Sequence, residues 1–391
     1  MIPSYRRQFN REWSPEKYQG FLTFIEQRCG EPVQFRHSET PCFFPRELID
    51  RMACYGREMT EQLLANPQYQ RDSRHAVPER WRVPNEDARP LFVQADFGLD
   101  ENVEPKLVEI QGFPSLYAYQ LLLAEAYRES YALDPNLACL PDGLTVGEYN
   151  ELLRKAIVAD CDPQNVVLME IDPWRQKTRH DFLLTERWFG VRTVDITGIR
   201  KQGNRLWYDR DGTLTPIHRI YNRTIVDELE RRNIPLPFDF RDDLDVQWAG
   251  HPNWFFRLSK FSLPYLNHPA APHAQFLMDP PPNPENYVLK PLYSFAGLGV
   301  IVGPTREQLD AIPPERRADY ILQERVDFRP VIETPHGLTK VEVRIMYIWQ
   351  EALRAVNIVV RTGRGAQMGV DHNKALEWVG ASAAFIGEET A

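Results

Sequence analysis

The sequence predicts an α/β fold with more than one subdomain. Three observations predict it: a strand pair within residues 91–111, an alternation of helices and strands within 146–250, and long strands within 340–360. The alternation in the middle is typical of a βαβ unit, which places its strands parallel in one sheet. At 391 residues the chain is long enough for two or three domains.

The N-terminal part is predicted to be a helical scaffold that leads into a hairpin. Residues 15–70 show mostly helical periodicity interrupted by prolines. An apolar strand over 91–97 is followed by a polar turn and by a second strand over 106–111. A helix is then expected over 115–131. The pattern therefore predicts an antiparallel strand pair followed by a helix.

The middle and the end of the chain supply the remaining elements. Helices are predicted over 146–158, 177–189 and 305–311. Strands are predicted over 165–170, 191–195, 320–326, 340–349 and 355–360, and two more flank a small-residue turn within 287–302. The alternation from 146 to 195 is the part that predicts a parallel sheet.

The early hairpin carries polar side chains on one face. Strand alternation places Leu107, Glu109 and Gln111 on the same side, and a turn centred near Asn102 places Asp96 opposite Glu109. Two opposed carboxylates repel each other, and a divalent cation would reverse that repulsion, since Mg²⁺ prefers oxygen ligands. The hairpin therefore predicts a Mg²⁺ site, with a solvated polar face paired with Lys or Arg as the alternative.

The strand over 287–291 contains a lysine, Lys290, among apolar residues. An ammonium group there is costly to desolvate unless an anion meets it. The turn that follows holds Ser294, Gly297 and Gly299, and glycines allow backbone N–H groups to approach phosphate oxygens. The pattern indicates a phosphate-binding hairpin, and an ordinary hairpin with Lys290 reaching to water is the alternative.

Two later strands add candidate ligands. Alternation places Glu342, Arg344 and Met346 on one face, where Arg344 could meet an anion or form a salt bridge with Glu342. The segment over 323–327 could hydrogen bond an adenine through its backbone and bind ribose hydroxyls through its acids. Its candidate residues are Gln323, Glu324, Val326 and Asp327.

Composition excludes several classes of function. A formal net charge of −9 and a pI near 5.6 argue against a nucleic-acid-binding surface. No apolar run reaches membrane-spanning length and the N-terminus lacks a signal peptide, so we expect a cytoplasmic protein without a membrane partner. The five cysteines form no C-x-x-C pair, which indicates reduced thiols. Motifs of serine hydrolases and zinc proteases are missing.

The order of these elements resembles the ATP-grasp superfamily, and specifically its circularly permuted branch, similar to the synthetase domain of glutathionylspermidine synthetase. In that branch an early Asp … Glu-x-Asn pair binds magnesium, and here it reads Asp96 … Glu109-Ile110-Gln111. A middle domain follows, with a hairpin around residues 209–212 and a strand over 217–223. Lys260, Lys290, the 322–324 strand and Arg344 match the later nucleotide-binding positions. Two departures are Gln111, where the family has Asn, and a lid loop with fewer glycines.

The resemblance implies an ATP-dependent carboxylate–amine ligase that uses ATP and Mg²⁺. A substrate carboxylate would form an acyl-phosphate, and an amine would then displace phosphate. The partners implied are a small-molecule or peptide carboxylate and an amine, with the oligomeric state left open. The alternatives are an ATP-binding regulatory or partner-binding protein without turnover, and a small-molecule phosphotransferase.

The resemblance also implies roles for individual residues. Lys260 and Lys290 would hold the α- and β-phosphates, and the 294–299 loop would cover the γ-phosphate. Asp96, Glu109 and Gln111 would hold Mg²⁺, Arg344 would offset charge on the transferring phosphoryl group, and Arg223 would contact the substrate carboxylate. The division implied is 1–145 for the first part of the core, 146–252 for the middle subdomain, 253–330 for the lid subdomain and 331–391 for the return to the core.

Overall fold

The computed structural model describes residues 1–294, 297–365, 368 and 375–388. The helices are α1 (Pro3–Glu12), α2 (Pro15–Cys29), α3 (Arg46–Ala65), α4 (Pro67–Ala76), α5 (Tyr119–Tyr131), α6 (Val146–Ile157), α7 (Arg179–Phe189), α8 (Val226–Arg231), α9 (Asn253–Arg257) and α10 (Arg306–Asp310). Within this part of the chain, no helix combines the length and the apolar character needed to cross a membrane.

The strands fall into four sheets. They are β1 (Cys42–Pro45), β2 (Phe92–Leu99), β3 (Pro105–Gln111), β4 (Val166–Glu170), β5 (Arg192–Asp195), β6 (Arg200–Gln202), β7 (Arg205–Arg210), β8 (Thr213–Ile217), β9 (Arg219–Asn222), β10 (Gln247–Ala249), β11 (Ala274–Phe276), β12 (Tyr287–Pro291), β13 (Ile301–Val302), β14 (Tyr320–Glu324), β15 (Ile332–Thr334), β16 (Gly337–Trp349), β17 (Leu353–Gly363) and β18 (Gly380–Gly387).

The largest sheet, called the core sheet below, joins the early hairpin to the C-terminal strands. Its order is β1-β18-β17-β16-β2-β3, with β15 added beside β16. Asp96 on β2 is paired with Glu109 on β3 and with Arg344 on β16. The register expected for the hairpin is confirmed, and the C-terminal strands β16 and β17 lie in the same sheet as the hairpin.

The middle of the chain forms a parallel sheet of order β10-β9-β4-β5. Helix α7 connects β4 to the parallel strand β5, which confirms the predicted βαβ unit. A separate antiparallel sheet, β6-β7-β8, contains the expected hairpin around residues 209–212. The strand expected over 217–223 is present but shorter, because β9 covers only Arg219–Asn222, whereas Ile217 ends β8 in a different sheet.

A fourth sheet, called the lid sheet below, has the order β11-β14-β12-β13. It contains Lys290 on β12 and Gln323 on β14, so the predicted lysine hairpin is present. In the loop of residues 294–299, Ser294, Gly297 and Gly299 are described, whereas residues 295–296 lie outside the described residues. Gly297 and Gly299 have positive φ angles of 76° and 74°, a conformation that favours glycine.

The helix expected over 115–131 begins later, at Tyr119, for an identifiable reason. The backbone N–H groups of Ala118 and Tyr119 donate to Asp181 Oδ1 at 2.9 and 3.0 Å. The cap of α5 is therefore supplied by a carboxylate from α7 rather than by its own neighbours. Such a long-range cap has no local sequence signature.

Candidate functional site

The candidate site lies where the lid sheet meets strand β3 of the core sheet. Lys290 Nζ donates to Val108 O at 2.7 Å and to Gln323 Oε1 at 2.6 Å. Gln323 Nε2 in turn donates to Leu107 O at 3.2 Å. These hydrogen bonds join β12 and β14 of the lid sheet to β3 and bury the Lys290 ammonium between the two sheets.

A half-buried carboxylate, Glu109, lies among cations. Its Oε2 is 3.5 Å from Lys260 Nζ and its Oε1 is 3.7 Å from Arg344 Nη2. Burial by itself raises the pKa of an acid, but Lys260, Arg344, Lys290 and Arg361 outweigh that effect and lower the pKa of Glu109 to about 2. Glu109 is therefore ionised, and the surrounding cationic side chains stabilise its carboxylate.

The expectation that Asp96 and Glu109 repel each other in the protein without metal is corrected by this arrangement. The two residues are paired across β2 and β3 as expected, but the sequence did not show the cations around them. The low pKa of Glu109 means that these cations more than offset the repulsion. Removing Glu109 is therefore expected to destabilise the fold rather than to relieve strain.

Asp96 is held by two arginines. Its Oδ1 is 2.5 Å from Arg344 Nε, and its Oδ2 is 2.6 Å from both Arg344 Nη2 and Arg361 Nη2. Arg361 Nη2 is also 2.5 Å from Glu342 Oε1. Burial favours the neutral form of Glu342 and raises its pKa. The partner of Arg344 is thus Asp96, whereas Glu342 pairs across the strands with Arg361.

Two amides complete this group of side chains. Arg344 Nη1 donates to Gln94 Oε1 at 3.1 Å. The Gln111 side-chain amide is oriented so that its oxygen faces donors and its nitrogen faces acceptors. In this orientation the Gln111 oxygen accepts a hydrogen bond from Arg344 Nη2 at 2.9 Å. The Gln111 oxygen therefore faces a guanidinium group.

The side chains expected to bind Mg²⁺ already have cationic partners in this structure. Asp96, Glu109 and Gln111 supply hard oxygen atoms, but each faces an arginine or a lysine. Among the described residues, no group of three His, Cys, Asp or Glu side chains is arranged to hold a metal ion. The arrangement does not fit a Mg²⁺ ion between these three residues, and the role assigned to them stays a prediction.

Two lysines lie close to Glu109 at this junction of the sheets. Burial lowers the pKa of Lys290 to about 8, and Glu109 partly opposes that shift. An anion bound nearby would favour the charged lysine. Lys260 Nζ donates to Ser294 O at 2.7 Å, so this lysine contacts the start of the loop that was expected to cover phosphates.

The cleft is closed in this structure. The cavity beside Glu109 has a volume of about 20 Å³, which is room for about one water molecule. Its lining includes Gln111, Phe113, Lys260 and Ser294. Any ligand larger than a water molecule would therefore require the lid sheet to move away from β3, which breaks the hydrogen bonds of Lys290 to β3.

Arg223 lies away from these charges. Its Nη1 donates to Asp181 Oδ2 at 2.6 Å, and the two side chains are 3% and 1% exposed. The guanidinium carbon also lies 5.8 Å from the ring centre of Phe113, which lines the cavity. The structure therefore places Arg223 in a buried ion pair behind the cavity wall, and its contact with a substrate carboxylate stays a prediction.

The residues expected at the adenine lie at the end of β14. Glu324 N already donates to His273 O at 2.8 Å, and Asp327 pairs with Arg325 at 2.7 Å. The strand ends at Glu324, so Val326 and Asp327 follow it. Of this group, Gln323 is the residue whose side chain reaches Lys290.

Sequence reasoning missed Arg361 and Gln94. A signal existed for Gln94, because alternation along β2 places it on the same face as Asp96. Arg361 was missed because β17 was expected to end at residue 360, whereas it continues to Gly363. A predicted strand one residue longer would have included Arg361.

A glycine allows the segment that carries Lys260 to approach β3. Gly112 N donates to Leu258 O at 2.8 Å, and a Cβ at this position would lie 2.9 Å from Trp254 O. Because that neighbour is backbone, we expect Gly112→Ala to lower the free energy of unfolding by about 1–3 kcal/mol. Denaturant unfolding measures it, with Gly198→Ala as the control since a Cβ there meets nothing within 4 Å. Equal stability of both variants would contradict this packing argument.

Comparison with known proteins bears on the fold. No protein-family model and no curated protein matches the chain. Among solved structures, the fold is similar to that of a glutathione synthetase-like effector from Globodera pallida in its apo form, with a TM-score of 0.60. The identity is 11%, and the match covers 95% of this chain and 96% of that chain. The chain therefore has a mixed α/β fold similar to that of this effector over nearly its whole length.

Proposed function

We propose that the protein is an ATP-dependent carboxylate–amine ligase whose nucleotide phosphates bind between the lid sheet and β3. The observation that carries this proposal is the convergence of cationic side chains from separate segments around Glu109, which lines the cleft: Lys260, Lys290, Arg344 and Arg361. Cations gathered in a buried cleft strengthen one another's attraction for a polyphosphate. The similarity to a glutathione synthetase-like fold supports a ligase, and the circularly permuted order of motifs is part of the proposal.

The proposed reaction has two steps. The oxygen of a substrate carboxylate attacks the γ-phosphorus of ATP and ADP leaves, which gives an acyl-phosphate. The nitrogen of an amine then attacks the acyl carbon, loses a proton and displaces inorganic phosphate. Lys260 and Lys290 position the phosphates, and Arg344 offsets the negative charge on the transferring group, so the protein contributes by positioning and electrostatics.

A second candidate is a nucleotide-binding protein without turnover. The observation that favours it is Asp96, whose carboxylate is held by two arginines at 2.5–2.6 Å and is not free to bind a metal ion. A protein of this kind would bind ATP and transmit the closure of the lid sheet to a partner. Both candidate functions use the same ATP-binding site, and they differ in whether the protein converts ATP to ADP.

The deciding experiment incubates the purified protein with ATP, Mg²⁺ and pooled amino acids and polyamines. We expect ADP to form only when a carboxylate and an amine are both present, and mass spectrometry should show a product equal to their sum minus water. Lys260→Ala should lose this activity, whereas Lys201→Ala should keep it because Lys201 pairs with Asp242 on the surface.

Other outcomes would exclude the ligase. ATP binding without ADP formation for any pool would support the second candidate. A phosphorylated small molecule in place of an amide would indicate a phosphotransferase on the same fold.

A further inference from the structure

The side chains around Asp96 form a connected group on three neighbouring strands. Asp96 lies on β2, Arg344 and Glu342 on β16, and Arg361 on β17, and the register pairs Arg344 with Asp96 and Arg361 with Glu342. The two guanidinium groups share the Asp96 carboxylate. This arrangement fixes both arginines on one face of the core sheet.

The members of this group differ in exposure. The Asp96 side chain is 2% exposed and that of Arg344 is 9% exposed, whereas that of Arg361 is 24% exposed. Arg361 is therefore the member that reaches solvent. Its Nη2 contacts the carboxylates of Asp96 and Glu342. Its Nε and Nη1 make no hydrogen bond to any residue that the structure describes.

We propose that Arg361 is an anion-binding residue beside Glu109 and that Asp96 is a positioning residue for the Arg344–Arg361 pair rather than a ligand of Mg²⁺. The ligand is a polyphosphate, and this identification rests on the proposed function. A guanidinium anchored at one nitrogen presents its remaining N–H groups in a fixed plane, which suits the oxygens of a phosphate.

The balance of charged side chains around Asp96 and Glu109 favours the binding of an anion rather than a metal cation. Among the described residues, the cations exceed the carboxylates by one: Lys260, Lys290, Arg344 and Arg361 against Asp96, Glu109 and Glu342. A Mg²⁺ ion at Asp96 would have to displace two guanidinium groups that are already in contact with it. A phosphate at Arg361 displaces none, since two of its nitrogen atoms have no hydrogen-bond partner among the residues that the structure describes.

The test measures binding of inorganic tripolyphosphate to the full chain by calorimetry in EDTA. We expect the parent to bind it, Arg361→Gln to weaken binding by about 10- to 100-fold and Arg361→Lys to recover part of the loss. Arg354→Gln is the matched control, because Arg354 lies on the same strand and pairs on the surface with Asp142. Thermal melting confirms that each variant is folded, which is expected since Asp96 keeps Arg344 as its partner.

A second arm tests the assignment of Asp96. Tripolyphosphate affinity is measured with Mg²⁺ and with EDTA for the parent and for Asp96→Asn, and the ratio of the two affinities is compared. We expect the same ratio in both proteins. A Mg²⁺ enhancement that is present in the parent and lost in Asp96→Asn would make Asp96 a metal ligand and overturn the proposal.

The remaining outcomes separate this inference from the proposed function. Equal tripolyphosphate binding by the parent and by Arg361→Gln, or no binding by the parent, would overturn the inference whatever the protein does with ATP. Binding that depends on Arg361 in a protein that forms no ADP would uphold the inference and reject the ligase.

Discussion

Replacing Asp181 with alanine is expected to lower the free energy of unfolding by about 3–5 kcal/mol. The substitution leaves Arg223 charged and unpaired, with a side chain that is 3% exposed. It also removes the acceptor for the backbone N–H groups of Ala118 and Tyr119 at the start of α5. Both losses occur in the interior, where water cannot replace the missing partner. Urea unfolding monitored by circular dichroism measures the change.

Two comparisons make this result specific. Asp181→Asn keeps an oxygen that can accept from the backbone of α5 but removes the charge, so it should fall between the parent and the alanine variant. Asp245→Ala breaks a surface pair with Arg205, whose members are 61% and 66% exposed, and should change stability by less than about 1 kcal/mol. If Asp181→Ala were as stable as Asp245→Ala, the buried pair would have no structural role.

Replacing Lys290 with methionine is expected to weaken ATP binding by about 10- to 100-fold while leaving the protein folded. The loss follows from removing a buried ammonium group near Glu109, where little water screens it. Folding should survive because methionine fills a similar volume and removes the cost of burying a charge. Calorimetric titration with ATP measures the affinity, and Lys201→Met on the surface is the control. Unchanged ATP affinity in Lys290→Met would show that this lysine only joins the two sheets.

The pH dependence of binding provides an independent check on Lys290. Its pKa of about 8 in the free protein should rise when phosphate binds, since the anion favours the charged form. ATP affinity should therefore be highest at neutral pH and fall as the pH rises through about 8. In Lys290→Met this decline should be absent, and an equal decline in both proteins would assign the titration to another group.

Strand geometry in the sequence predicted part of the site correctly. Alternation along two short strands and the position of the turn between them placed Asp96 opposite Glu109, and the register confirms it. The same reasoning placed Lys290 on a strand beside a turn with positive-φ glycines. These features depend on residues close together in the chain, where the period of two fixes the face of each side chain.

The partners of those side chains could not be predicted in this way. Asp96 meets Arg361 from a position 265 residues further along the chain, and Lys290 meets Val108 from a position 182 residues away. Arg223 was predicted to contact a substrate carboxylate, whereas its side chain pairs with Asp181 on α7. Which charge faces which depends on the order of strands in the sheet and on how the lid sheet packs against β3.

The sequence by itself therefore determined the candidate side chains, the faces of the strands that carry them and the mixed α/β fold. The tertiary structure decided the electrostatic state of those side chains. Glu109 was expected to be repelled by Asp96, yet its pKa is lowered to about 2 because Lys260, Arg344, Lys290 and Arg361 converge on it. The physical reason is that the energy of a buried charge is the sum over all charges within a few ångströms, and those charges come from segments that only folding brings together.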